Sequence, residues 1–467
     1  MSPAGIRSYA TYVPRFRLAH AELGDALGGR GGRGSRVVAA FDEDATTMGV
    51  EAARAAVGAG GGSDAIYLAT SAPAYADKTN ATAIHAALGA GHAGFAVDVA
   101  GAPRGAVGAL RAAAADRGLA VLSDLRTGRP GSADERDSAD AAAAFAFADA
   151  AEEGVVATIA GRGAATAEFL DRWRAPGELA SRQWEERFGV EQYLPLAEAA
   201  VAEALADAGL EEVDHVVVSS PHARAAAQIA RRFPGRVAAD GPAIGYAGAA
   251  DPGLRLADAL DRAGPDETIL LVVAADGADA YVLRTTAALP AGRAALPLAD
   301  QLAGGRPLRY ATYLTWRGLL DREPPRRPEP DRPAAPPAAR SEGWKFAFVG
   351  SRCQACGFVH VPAVRVCKRC RAVDRMEPAP LAGSPGTVAT FTVDRLAFSP
   401  SPPLITVVVD FDGGGRYTLE VADAAPDEIE IGTRVEPTFR RLYTVEGIHN
   451  YFWKARPVLD AAASTSD

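Results

Sequence analysis

The only four cysteines of this 467-residue chain are Cys353, Cys356, Cys367 and Cys370, two CxxC pairs with ten residues between them. Each pair can turn back so that both thiolates point at one centre, and four thiolates complete the closed tetrahedral shell of a structural zinc. A closed shell leaves no position for water, so the metal is expected to fold a small module rather than to catalyse. Two disulfides or a redox pair are the alternatives. A cytoplasmic chain without a thioredoxin-like pattern favours zinc. If all four thiolates hold metal, no cysteine remains anywhere to act as a nucleophile.

The stretch EPPRRPEPDRPAAPPAAR from Glu323 carries seven prolines. Such composition favours polyproline II, at about 3.1 Å per residue, and reads as a semi-rigid spacer between separate cores. Beyond the cysteines come GTVATFTVD, LITVVVDFDGGGRYTLEV, TRVEPTFRRLY and HNYFWKARP, short apolar or alternating runs separated by turn residues. They predict a small barrel of about five strands, an OB fold. Gly413 to Gly415 read as a hairpin turn, since no Lys-Ser/Thr follows to make a phosphate cradle. The strand aromatics Phe391, Phe411, Tyr417 and Phe439 lack a basic surround, and the net charge is -9. Nucleic acid and anionic lipid are therefore not expected as partners. No run of 18 apolar residues is present and the first residues lack a basic-then-apolar leader, so no membrane span and a cytoplasmic location are expected.

Upstream lies a repeat. MGVEAARAAVGAGGGSDAIYLATSAP from Met48 matches LAEAAVAEALADAGLEEVDHVVVSSP from Leu196: an amphipathic helix, a turn, a buried strand, then Ser and Pro. SADAAAAFAFA from Ser138 is echoed by AADGADAYVLR from Ala274. Two copies of one helix-and-strand pattern predict a duplicated α/β domain. The expected divisions are 1–165 and 166–320 for the two halves, 321–343 for the spacer, 344–378 for the ribbon and 379–460 for the barrel.

In GIRSYATYVPRFRL, FDEDATTMGVEAAR, LATSAPAYADKTNATAIHAALG, VDVAGAPRGAVGAL, FLDRWR and RQWEERFGVEQY the chain resembles the hydroxymethylglutaryl-CoA synthase branch of the thiolase superfamily. From WKFAFVGSRCQACG to FRRLYTVEGIHNYFWKARP it resembles the zinc-ribbon and OB-fold proteins of the DUF35/ChsH2 kind, found beside thiolases in acyl-CoA metabolism. The resemblance implies a layered αβαβα thiolase-like fold, a rubredoxin-like zinc ribbon and an OB-fold barrel. It also implies a CoA thioester as substrate or ligand, a homodimer, and a thiolase as a candidate partner.

The catalytic positions that the family would supply are altered. The nucleophile, five residues after an aspartate, falls on Pro103 counting from Asp98; the histidine falls on Ser219, with His222 three residues on. The asparagine falls on Tyr246 and the acid-base glutamate on Ser71. Tyr246, between Gly245 and Gly248, and His222, at a strand end, are the candidate catalytic residues; a phenol can donate to an oxyanion or, with a lowered pKa, take a proton. Arg104, Ser71 and Ser219 are candidates for substrate binding, with pairing of Arg104 to Asp98 and strand-end capping by the serines as the structural alternatives. Lys78 and the acidic runs at Asp42 and Ala133 read as exposed surface. Two functions stand: an enzyme making or breaking a carbon-carbon bond in an acyl-CoA without a cysteine, of aldol or retro-aldol type, and an inactive thiolase-like scaffold holding acyl-CoA or a partner thiolase.

Overall fold

Strands buried on both faces must be covered on both faces, and the continuous apolar runs AIYLAT, LAVLSD and TILLVVA form such strands. The computed structural model describes residues 3–29, 32–58, 62–236, 244–323 and 326–458. One sheet of nine strands organises the first 290 residues: β1 (Ala4–Tyr12), β2 (Ala65–Thr70), β3 (Phe95–Ala100), β4 (Leu119–Asp124), β5 (Ala141–Asp149), β6 (Ala157–Ala165), β7 (His215–Ser219), β8 (Thr268–Ala274) and β9 (Ala278–Thr285). Their order is β7-β8-β9-β6-β1-β5-β4-β2-β3. The two halves meet where β1 and β6 pair antiparallel over Gly5–Ile6 and Ala157–Thr158. On either side of that seam β5, β4 and β2 are mirrored by β9, β8 and β7, as the repeat predicts.

Alternation along the strands sorts side chains into layers. Tyr67 and Leu122 of the first half and Val217, Leu271 and Val273 of the second share a central core with helices α3 (Gly105–Asp116) and α6 (Asp251–Arg262). Their neighbours Ile66, Leu68 and Val121 face helices α1 (Ala45–Val57) and α2 (Ala81–Ala87) on one outside. Val216, Leu270 and Val272 face α4 (Glu186–Ala208) and α5 (Ala223–Ala230) on the other. The result is αβαβα. Glycine permits the closest helix contact: a Cβ on Gly163 of β6 would lie 2.0 Å from the Ala200 carbonyl oxygen of α4.

The C-terminal barrel comprises β13 (Gly386–Asp394), β14 (Leu404–Phe411), β15 (Arg416–Glu420), β16 (Arg434–Val445) and β17 (Ile448–Pro457), in the order β15-β14-β13-β16-β17. A bridge from Val421 to Ala455 ties its outer strands. The Pro-rich spacer does not hold this barrel away from the first half. Pro324 and Pro325 lie outside the described residues, and Ala335–Arg340 forms a short helix, α7. The barrel packs straight onto α1, where the Arg54 guanidinium stands 4.6 Å over the Trp453 ring.

The acidic run before α1 is buried rather than exposed, because each carboxylate meets a barrel group. Asp42 takes Lys454 at 2.9 Å, and Lys454 also takes Glu420 at 3.0 Å. Glu43 pairs with Arg440, which pairs with Asp423 at 2.5 Å and donates to the Tyr12 hydroxyl at 3.0 Å. Asp44 caps α1 by accepting from the Thr47 amide and also accepts from the Tyr451 hydroxyl at 2.8 Å. Glu51, on α1, accepts from the Phe439 amide at 3.0 Å and pairs with Arg456 at 3.4 Å. Burial alone would raise the Asp42 and Glu51 carboxyls; Lys454, Arg440 and Arg441 around the one, and Arg456, Arg54, Arg440 and the Phe439 amide around the other, together more than offset it, leaving both below their usual range. The second acidic run is also less exposed than expected, with Glu135 fully buried and accepting from Tyr310.

Deleting one member of a buried network leaves the rest unpaired in low dielectric. Arg440→Met should therefore lower stability by about 3–5 kcal/mol in denaturant unfolding. Since the lowered carboxyls contribute stability above their unfolded pKa and lose it as pH falls, stability should drop on acidification below about pH 4. A change under 1 kcal/mol in Arg440→Met would refute the assigned weight of this contact.

Candidate active site and metal centre

Four sulfurs converge in the ribbon, built from strands β10 (Val349–Cys353), β11 (Val359–His360) and β12 (Met376–Pro380). Each CxxC turns the same way. The amide of Gly357 donates to the Cys353 carbonyl and that of Arg371 to the Cys367 carbonyl, and both donors have left-handed backbone, at φ 73° and 63°. The four Sγ atoms lie within 4.8 Å of one another, with Cys353–Cys370 and Cys356–Cys367 at 3.6 Å. Tetrahedral zinc with bonds of about 2.3 Å needs sulfurs about 3.8 Å apart. The residues fit that ion. His360 Nε2, 3.4 Å from Cys367 Sγ, is placed to support the thiolate from the second shell of contacts. The ribbon seats on the barrel through the glycine turn after β14, where Arg352 donates to the Gly413 carbonyl at 3.1 Å.

The other candidate residues gather at the strand ends beside α3 and α6. Pro103 sits just before α3, in a loop tied by the Gly101 amide to the Thr70 carbonyl at 3.1 Å. Next to Thr70, the Ser71 hydroxyl donates to Asp124 Oδ2 at 2.7 Å and accepts from Arg126 Nη1 at 3.0 Å. Asp124, fully buried at the end of β4, also accepts from the amide of Ala249 at 2.8 Å. Gly248, at φ 59°, makes this approach possible, since a Cβ there would lie 2.0 Å from Asp124 Oδ2. In the other half, the Ser219 hydroxyl donates to Asp251 at 2.7 Å, and Arg255 donates to the same oxygen at 2.7 Å. Both matched serines thus serve buried carboxylates.

Tyr246 stands above this cluster, with the Arg126 guanidinium 5.8 Å from its ring centre. Its backbone is fixed by a donor to the Asp137 carbonyl at 2.9 Å and an acceptor for the Ala139 amide at 3.0 Å. Burial pushes its phenol well above the usual value, Arg126 opposing, so it holds its proton at neutral pH and can donate a hydrogen bond but not serve as a base. Among the described residues its hydroxyl has no hydrogen-bond partner, and the buried Arg126 Nε has none either. Arg174 reaches the Ser71 carbonyl from a third side.

His222 caps α5: its Nδ1 accepts from the Ala225 amide at 3.1 Å, which leaves Nε2 to donate to the Glu186 carbonyl at 2.9 Å. Both ring nitrogens are engaged. Arg104 does not pair with Asp98. It crosses to the second half, donating to Asp279 at 2.8 Å and the Asp276 carbonyl at 2.8 Å, while Asp98 holds the amides of Asn80 and Ala81 at 2.7 Å. Arg126, Arg174, Asp124 and Asp251 escaped sequence reading; the one available signal was an aspartate closing the apolar strand LAVLSD. Asp171, in the FLDRWR run, is buried with both oxygens unpartnered, and burial raises its carboxyl.

Sheet order, layering and the ribbon-plus-barrel module define a thiolase-like fold joined to a zinc ribbon and an OB fold. The ribbon matches the family model described as ChsH2, rubredoxin-like zinc ribbon domain, over residues 346–377. The barrel matches ChsH2, C-terminal OB-fold domain, over 379–440. The hydroxymethylglutaryl-CoA synthase of Archaeoglobus fulgidus is 31% identical over 312 residues, 61% of this chain and 90% of that protein. A DUF35 domain-containing scaffold protein of Methanocaldococcus jannaschii is 30% identical over 119 residues, 24% of this chain and 84% of that protein. A crystal structure of HMG-CoA synthase complexed with CoA superposes with a TM-score of 0.57 at 16% identity, covering 67% of this chain and 89% of that one. The 3-oxoacyl-(acyl carrier protein) synthase III of Pseudomonas aeruginosa PAO1 gives 0.54 at 20% identity, over 61% and 98%. The chain belongs to the hydroxymethylglutaryl-CoA synthase family, and carries a ChsH2-type zinc ribbon and OB fold on the same polypeptide.

Protein prepared without added metal should contain close to one zinc per chain, measured by elemental analysis. Cys367→Ser should abolish it and loosen the glycine turn after β14, seen as lost amide protection there. Less than half an equivalent of zinc in the unaltered protein would refute the assignment.

Proposed function

We propose that the thiolase-like domain binds acyl-CoA thioesters and makes or breaks a carbon-carbon bond in them without an acyl-enzyme. Supporting this reading is the pair of unengaged donors, the Tyr246 hydroxyl and Arg126 Nε, beside the position where the family keeps its nucleophile and this chain has Pro103. In an aldol or retro-aldol step, charge develops on a thioester enolate oxygen or on an alkoxide. A protonated phenol and a guanidinium stabilise such an oxygen, and each donor of this kind is worth about 10²–10³ in rate. Ser71 and Asp124 hold Arg126 in place, and His222, Ser219 and Arg104 hold the loops around it. The hydroxymethylglutaryl-CoA synthase relatives and the CoA complex of an HMG-CoA synthase support the substrate class.

A second reading is favoured by a different observation: Ser71, Ser219, His222 and Arg104 all spend their polar atoms on the protein itself. On that reading the domain is a scaffold that binds acyl-CoA or a partner thiolase. The two part company in turnover. Across acyl-CoA and 3-hydroxyacyl-CoA thioesters, the enzyme should convert at least one, and Tyr246→Phe should cut its kcat by about 10² with binding nearly unchanged. Mass spectrometry should find no acylated side chain; stable acylation would refute the non-covalent route. Binding without conversion of any thioester leaves the scaffold.

A homodimer in the cytoplasm is part of the proposal. β3 ends the nine-stranded sheet with a free edge, and its Phe95 is 52% exposed. Such an edge invites a second copy. Sedimentation should give about twice the 48.3 kDa chain mass, and Val97→Pro in β3 should shift it to monomer.

A further inference from the structure

A cavity of about 500 Å³ lies on the outside of the first half, between α2, the short helix α7 of the Pro-rich segment and the start of β17. It is separate from the central layer that carries Tyr246. Three different parts of the chain close it: Ala83 and Ala86 from α2, Ala335 and Ala338 from α7, and Ile448 from the barrel. Its walls are mainly alkyl and aromatic, yet two of the four lysines of the whole chain reach it, Lys78 and Lys345.

Neither lysine has an ion pair among the described residues. Lys78 Nζ donates to the Thr79 carbonyl at 2.9 Å and the Thr82 hydroxyl at 3.0 Å, and Lys345 Nζ donates to Asn450 Oδ1 at 2.7 Å. The carboxylate of the lining, Glu342, is taken by His92 at 3.0 Å. Burial lowers both ammonium groups from their usual pKa, the direction that an arriving anion would reverse. Asp98 acts on Lys78 from a distance, but no carboxylate among the described residues pairs with either ammonium, and a largely apolar chamber with two such cations matches a ligand with an alkyl body and a single anionic head.

We propose that this interdomain cavity binds a medium-chain acyl anion, its chain against the alanines of α2 and α7 and its head between Lys78 and Lys345. The head is a carboxylate bonded directly to the chain; in an acyl-CoA that end is a neutral thioester with the phosphates a whole pantetheine arm away, so the free acid and its CoA thioester are distinguishable ligands. Calorimetric titration of the full chain with hexanoate, octanoate and decanoate should show affinity rising about fourfold per methylene as the chain fills the cavity. Decanol should bind at least tenfold more weakly than decanoate. Lys78→Met combined with Lys345→Met should remove that preference, and Ala338→Phe, on a helix with no buried residue, should block every chain. Tight binding of decanoyl-CoA with none of decanoate overturns the acyl anion and makes the chamber a thioester site. Failure of both to bind, or binding unaltered by Ala338→Phe, overturns the proposal. Turnover at Tyr246 is a separate readout, so loss of one reading leaves the other standing.

Discussion

Four carboxylates within ten residues, Asp42, Glu43, Asp44 and Glu51, are each tied to the C-terminal barrel, and the arrangement of everything after residue 320 depends on them. A buried ion pair gains little over an apolar contact of the same shape, but breaking one is expensive. That asymmetry makes such a network a device for orientation more than for raw stability. It admits one register of β16 and β17 against α1, because a slip of one residue would point Arg440 and Lys454 away from their acids. The ribbon follows the barrel through its glycine turn, and the short helix α7 comes to lie over α2.

On the proposed reading, Pro103 stands where the family keeps its nucleophile. A proline at the start of α3 satisfies the backbone where a cysteine would use the helix dipole. The neighbouring positions hold groups that serve one another, Ser71 with Asp124 and Ser219 with Asp251. The Tyr246 phenol, one edge of Arg126 and both oxygens of Asp171 remain without a partner among the described residues. Polar groups left unpaired in a dry place are costly to keep, which is why they draw attention as a place for a ligand oxygen.

The duplicated layers and the metal ribbon were legible because both are local patterns: continuous apolar runs on β2, β4 and β8, buried on both faces, and two CxxC turns with the same backbone. The docking was not, since it joins residues some 400 positions apart, and nothing in FDEDATT marks its acids as buried until the cations of β16 and β17 are set beside them. The same limit hid Arg126 and Arg174, which meet only around Ser71. His222 was found by its place at a strand end, yet its role is set by two backbone groups, the Ala225 amide and the Glu186 carbonyl, that sequence cannot position. The proline count misled about the spacer because composition describes stiffness and says nothing of what the segment leans on.

The distance along the chain between α1 and its barrel partners bears on how the molecule comes into being. During synthesis the acids before α1 emerge nearly 400 residues ahead of Phe439 and Arg440, and domains generally fold from the N-terminus as they appear. For most of translation the first half therefore stands with one outer face uncovered, apolar around Met48 and Ala52 and ringed by unmatched negative charge. Mutual repulsion of those acids keeps that face hydrated and discourages nascent chains from sticking to one another. The arrival of the barrel replaces water with cations in a single late closing step, so the last part of the polypeptide to be made decides when the first part is finished.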